Sequence, residues 1–197
     1  MGRPTQPRQR CRIPGGLQSC CGRLVTLFEM WYDWTLSGSQ FRAGAGTIAM
    51  DQECVGLASD HAGFELKQVL KEELRAHGRA IVDLGAEGAD PVDYPDFGYA
   101  MAHALREGRV SRGVLVCGSG IGISIAANRF PEVRAALVHD TQGAQLARQH
   151  NDANVICFGG RMIDIEVARS CLRVFLTTPF DGGDRHLRRV EKLSKPL

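Results

Sequence analysis

The chain is poor in the features that single out unusual proteins, and each absence removes a class. No apolar run approaches the ~18–20 residues that a bilayer span needs, so no membrane association is expected. Charge of one sign is missing: 24 basic against 22 acidic residues leave a formal net charge of +2, which gives no electrostatic ground for a nucleic-acid partner. The seven cysteines are odd in number and irregularly spaced, and no CxxC pair occurs. That disfavours a disulfide framework and a zinc finger alike, and fits a reduced, cytoplasmic chain without a metal. The composition, 44% hydrophobic and 23% charged over 197 residues, is that of a globular protein. Its length accommodates one domain of about 150 residues and an appendage.

The appendage is visible as a change of composition. Residues 1–49 hold six arginines, no lysine and only two acids, Glu29 and Asp33, together with both tryptophans and Cys11, Cys20 and Cys21. Pro4, Pro7, Pro14 and paired glycines interrupt any helical or strand periodicity there. The arginine-rich, acid-poor character faintly matches an organellar transit peptide, but the plainer expectation is a poorly ordered N-terminal extension or leader. The folded domain is expected to span residues 50–197, opening at Met50.

From there the pattern alternates. Short β-branched or aliphatic runs at 54–58, 80–84, 113–117, 134–138 and 154–158 have the length of buried strands. Between them, Leu66, Val69, Leu70 and Leu74 recur at helical spacing before Gly78, and Phe97, Ala100, Met101, Ala104 and Leu105 do so before Gly108. Further helices are expected over 120–129, 141–150 and through Ala168, Cys171, Leu172 and Phe175. Strands alternating with helices require crossovers, which bury a parallel sheet on both faces. The expected fold is therefore α/β, a three-layer Rossmann-like arrangement with a five-stranded parallel sheet and a C-terminal helix. Ligands of such sheets lie at the carboxyl ends of the strands.

Polar and glycine residues follow the strands: Ser59-Asp60-His61-Ala62-Gly63, Cys117-Gly118-Ser119-Gly120-Ile121-Gly122-Ile123-Ser124, His150-Asn151-Asp152 and Gly159-Gly160-Arg161. All four are expected at one edge of the sheet. Three alternate glycines before a helix suit an anion or a developing oxyanion, or else a tight turn that lets the helix pack. The third glycine of a dinucleotide fingerprint would fall on Ile123, and the lysine of a P-loop is absent. Cys117 enters this loop, where a thiol is either a usable base or a small buried hydrophobe. Cys54, Cys157 and Cys171 read as structural, as do His77, His103 and, less firmly, His139; His61 and His150 stay open between structure and function. Near the C-terminus Arg185 and Arg189 are four apart and share one helix face, either a phosphate clamp or a solvated surface.

Taken together these motifs, with Asp93-Tyr94-Pro95-Asp96, the run Ile125-Ala126-Ala127-Asn128 and the Arg185-His186 pair ahead of Arg189-Val190, resemble the ribose-5-phosphate isomerase B family, the RpiB/LacAB sugar-phosphate isomerases. They stand in family order from about Cys54 to Lys192, and nothing in residues 1–49 matches. The resemblance implies cofactor-free interconversion of ribose 5-phosphate and ribulose 5-phosphate through a cis-enediolate. It assigns Cys117 as the base and Ser119, where the family usually has threonine, as a hydroxyl serving proton traffic between O1 and O2. His150 would assist ring opening, with Asp60 near the ring oxygen. Backbone groups from Gly118 through Gly120 and Gly122 to Ser124 would hold the enediolate oxygen. Asn151 would bind sugar oxygens, Tyr94 would line the substrate, and His61, Arg161, Arg185 and Arg189 would take the phosphate. The other branch of the family uses a glutamate where this chain has Ile123, so the chain resembles the cysteine branch. Family members are dimers or tetramers with sites shared between subunits, which makes a homodimer or homotetramer the expected partner state. Asp184 interrupts the usual Gly-Gly-Arg-His run, while the Arg-His-x-x-Arg spacing survives; whether it shifts the segment or repels phosphate stays open. The rival readings are a hexose-6-phosphate (allose or galactose) isomerase and a non-catalytic phosphosugar-binding module.

Overall fold

The computed structural model describes residues 53–195; the segment 1–49 and the expected start at Met50 lie outside the described residues. Five strands form one parallel sheet: β1 Cys54–Ser59, β2 Ala80–Asp83, β3 Arg112–Cys117, β4 Ala135–Leu137 and β5 Val155–Gly159. Six α-helices connect or follow them: α1 Phe64–Ala76, α2 Tyr94–Arg106, α3 Ile121–Ala127, α4 Thr141–Asn151, α5 Ile165–Thr177 and α6 Asp184–Leu193. The expected class, strand count and C-terminal helix are all present. Gly78 and Gly108 follow α1 and α2 with φ of 66° and 67°, where left-handed closing residues belong.

The order across the sheet is β2-β1-β3-β5-β4. Central strands β1, β3 and β5 are buried almost end to end, whereas the edge strands β2 and β4 are only partly covered. The chain leaves β1 in one direction to make β2 and returns to the other side of β1 to make β3, so β1 and β3 flank the point where the winding reverses. A crevice opens at their carboxyl ends for that reason.

Two apolar layers cover the sheet. Val55, Leu57, Val114, Val116, Ile156 and Phe158 face one way, against Leu70 of α1 and Leu172 and Phe175 of α5. Ala58, Leu115, Cys117, Val155 and Cys157 face the other, against Met101 of α2 and Ile123 of α3. Met101 lies across two glycines of the sheet: a Cβ on Gly56 or Gly113 would stand 2.9 or 2.5 Å from its sulfur. Side chains such as Phe158 and Leu57, fully buried, contribute roughly 1.5–3 kcal/mol each relative to exposure. Among the described residues no helix is long and apolar enough to cross a membrane.

Candidate functional site

Backbone geometry assembles the crevice. Asp60 follows β1 and is 6% exposed; its carboxylate accepts the Gly63 N–H at 2.9 Å and caps the single turn His61–Gly63. The Asp60 N–H reaches across to the Val116 carbonyl of β3 at 3.1 Å. Gly63 lies so close to that strand that a Cβ would stand 2.6 Å from the same carbonyl oxygen, which is why no larger residue fits. His61 Nδ1 is 3.2 Å from both the backbone oxygen and the backbone nitrogen of Val92, fixing the imidazole against the loop that leads into α2.

Cys117, 3% exposed, ends β3 and opens the glycine loop. The Gly120 N–H donates to Cys117 Sγ at 3.1 Å, a donor that a thiolate accepts more strongly than a thiol. Gly120 itself lies in the left-handed region, with φ of 76°. A Cβ there would also stand 2.5 Å from Leu137 Cδ1 and 2.8 Å from the Phe158 carbonyl carbon, so glycine is demanded by conformation and by space. The Gly160 N–H donates to the Cys117 carbonyl and the Arg161 N–H to that of Gly118, at 2.8 and 3.1 Å, which brings the turn after β5 beside the loop.

A cavity of about 470 Å³ occupies this edge, lined by Asp60, His61, Ala62, Tyr94, Cys117, Gly118, Ser119, Gly122, Arg161 and Met162. Tyr94, at the start of α2, rests on the glycine loop; a Cβ on Gly122 would meet its ring at 2.6 Å. The Arg161 guanidinium lies 3.6 Å from where a Gly118 Cβ would be. A thiol, a carboxyl, an imidazole and a guanidinium thus share one pocket. Cys157, behind it on the α2/α3 face, is wholly buried; desolvation, with Cys117 adding to it, pushes its thiol far above the usual range. It is a structural thiol, as expected. Met162 carries no motif signal in the sequence and enters the wall only because it follows Arg161.

Several expected site residues are elsewhere. Gly120 is buried and its N–H is engaged by Cys117. Ser124 turns inward: its hydroxyl donates to the Ile121 carbonyl at 2.8 Å and its N–H to the Gly120 carbonyl at 3.3 Å. The lining part of the loop therefore narrows from the run Gly118–Ser124 to Gly118, Ser119 and Gly122. Ile123 is fully buried in the core.

The expectation of one common edge is corrected more sharply for His150 and Asn151. They end α4, which runs back from the carboxyl end of β4 and delivers the chain to the start of β5. They stand at the amino ends of the strands, while Cys117 pairs with Gly159 at the last step of β5; that strand alone spans about 13 Å. Asp152 closes α4 in the left-handed region at φ 45° and is gripped by Arg134 at 2.8 Å and Arg148 at 2.7 Å. Arg185 and Arg189, exposed on α6, belong with this second group, because His186 between them stacks on His150. None of His150, Asn151, Arg185 and Arg189 lines the cavity. Asp184 is the first residue of α6, where a negative charge favours the helix.

The sequence profile of the Ribose/Galactose Isomerase family matches residues 55–193, from β1 to the end of α6. The chain belongs to this family. Ribose-5-phosphate isomerase B of Escherichia coli (strain K12) is 39% identical over 140 residues, covering 71% of this chain and 93% of that protein. The crystal structure of a ribose 5-phosphate isomerase from Thermotoga maritima superposes with a TM-score of 0.71 at 42% identity, over 73% of this chain and 99% of that one. Ribose 5-phosphate isomerase B from Anaplasma phagocytophilum is similar at 50% identity and a TM-score of 0.67, over 72% and 96% of the two chains. The isomerase fold thus accounts for everything from β1 onward.

Proposed function

We propose that the protein is an aldose–ketose isomerase that interconverts ribose 5-phosphate and ribulose 5-phosphate, with Cys117 as the base. The observation that carries this reading is Cys117 Sγ in the wall of a cavity that also holds Asp60, His61 and Arg161, with an amide N–H on the sulfur. Family membership supports it. From open-chain ribose 5-phosphate the thiolate takes the C2 proton, and the electrons of that bond form the C1–C2 double bond as O1 acquires charge. The amides of Gly118, Ser119 and Gly122 stabilise the enediolate, the term that usually dominates such catalysis. Ser119 passes the O2 proton to O1, and Cys117 returns its proton to C1. Arg161 and His61 lie where a phosphate would balance charge.

A second copy of the chain completes the site. Cys117 and His150 stand at opposite edges of one sheet, and the surface beside the cavity is apolar and uncovered: Ile121, Ile125 and Met162 are 54%, 59% and 67% exposed. A partner seated there would bring its own His150 and Asn151 to the sugar ring and its Arg185 and Arg189 to the phosphate, in a homodimer or a tetramer of such pairs. Ring opening then falls to His150, with Asp60 beside the ring oxygen. The test is kcat/KM for ribose 5-phosphate against allose 6-phosphate and galactose 6-phosphate. The pentose phosphate is expected to be preferred; preference for a hexose phosphate would reassign the substrate, and no turnover of any would leave a binding module.

A further inference from the structure

The stack of His150 on His186 joins the two helices that carry the second group of functional side chains. The two rings lie 4.5 Å apart between centroids and 8° from parallel. His186 is 5% exposed, and its Nδ1 is buried without a hydrogen-bond partner. Its Nε2 stands 3.2 Å from an Arg185 guanidinium nitrogen and 3.7 Å from Asp181 Oδ2. A guanidinium only donates, so the Arg185 contact asks Nε2 to accept. A buried imidazole that leaves one nitrogen unpaired is an expensive choice for filling space, which Leu or Met would fill without a stranded polar atom. What it provides is a flat face.

A flat face is what His150 lacks elsewhere. The torsion that turns an imidazole about its Cβ–Cγ bond has broad, shallow preferences, so a histidine at a helix end does not fix its own ring plane. His150 is half-buried at the end of α4, and no hydrogen bond to its ring nitrogens appears among the described contacts. Stacking sets the plane while leaving both nitrogens of His150 free at the ring edge, where a proton donor or acceptor must present them. The neighbouring chain is held independently: the Asp181 N–H donates to the Gln149 carbonyl at 3.1 Å, and the His186 N–H to the Gly183 carbonyl at 2.8 Å.

We infer that His186 is a positioning residue for His150, fixing the imidazole plane for proton transfer at the sugar ring while Arg185 and Arg189, on the same helix, take the phosphate. This rests on the role given to His150 above. The same helix α6 then sets both the reacting histidine and the anion site, so the register of one against the other is built into ten residues.

The test is a double-mutant cycle on kcat with ribose 5-phosphate, in the full chain. His150→Ala alone is expected to lower kcat by about 100-fold, the scale of a lost general acid–base group. His186→Leu, which fills the volume without a ring face, should lower it by about tenfold with KM changed less than about threefold, as misorientation does. His186→Phe, which keeps a flat face, should recover most of that loss. In the His150→Ala background His186→Leu should have no further effect on kcat, because residues that act through one another are not additive. Additive losses, full kcat in His186→Leu, or a Phe variant as slow as the Leu variant would each overturn the inference. Unchanged kcat in His150→Ala would instead remove His150 from catalysis, a separate failure of the reading beneath it.

Discussion

At the carboxyl ends of β1, β3 and β5 the chemistry is held by backbone, whereas at the amino ends it is held by side chains gripping other side chains. The first edge consists of loops that cannot move without breaking ladder-like bonds: Gly120 N–H on Cys117, Gly160 N–H on the Cys117 carbonyl, Asp60 N–H on Val116. The second edge is a helix end clamped by Arg134 and Arg148 through Asp152, with His150 stacked on a ring from α6. The contrast separates tasks. Abstracting a carbon-bound proton asks for a fixed sulfur and fixed amide dipoles, which glycine-rich backbone supplies at close range. In the proposed reaction ring opening would fall to a histidine of α4 set by a ring of α6, and the arginines of α6 would add to Arg161 and His61 in holding phosphate.

The largest expected effect tests whether the two edges meet only between copies. Cys117→Ala and His150→Ala chains should each be slowed by about 10²–10⁴-fold, yet co-refolded they should recover about a quarter of wild-type activity, since random pairing in a twofold dimer makes half the dimers mixed and each mixed dimer has one intact site. No recovery, with tagged-chain pull-down proving exchange, would place both groups in one chain's site.

A smaller effect compares left-handed glycines of the two regions. Gly120 and Gly182 have φ of 76° and 67°, but a Cβ on Gly182 meets nothing within 4 Å while one on Gly120 meets Leu137 and the backbone at Phe158 and Gly159. Gly182→Ala should therefore lose only the conformational strain, about 1–2 kcal/mol. Gly120→Ala adds an overpacking cost of about 1–3 kcal/mol and displaces the donor on Cys117. Denaturant midpoints read the difference, and equal losses would deny the close packing of the loop.

The smallest effect concerns the support of the thiol edge. Burial opposes ionisation of Asp83, but hydrogen bonds from Lys67 at 2.8 Å and Lys71 at 2.6 Å, with one from the Gly85 N–H, hold its carboxyl below the usual 3.8. Lys67, 1% exposed, also donates to the Ala86 carbonyl, tying down the start of the loop that runs on to Val92 and so meets His61. A depressed carboxylate contributes stability above its unfolded value and loses it as pH falls through the folded one. The stability gap between wild type and Asp83→Asn should therefore be full at pH 7 and close below about pH 4. A gap independent of pH would show that the ion pair is not its source.

The sequence exposed the glycine loop, the thiol beside it and the acid and imidazole after β1 because each is specified within a few residues of one strand end. Cys157 was equally legible as core, since its strand pattern buries it. Ser124 was not: whether a hydroxyl on the first turns of a helix faces a ligand or its own carbonyl depends on a rotamer that spacing does not fix. His186 was hidden between two arginines, and only the packing of α6 on α4 distinguishes its buried face from theirs.

By itself the sequence determined the alternation of strands and helices, the two-sided burial of the sheet and the chemistry after β1 and β3, because apolar period, helix caps and glycine turns act over short stretches of chain. Tertiary structure alone decided that β5 lies between β3 and β4, that α4 carries His150 to the opposite edge from Cys117, and that His150 meets His186. Those facts depend on which surfaces bury one another across distant parts of the chain, and no local pattern of residues encodes that choice.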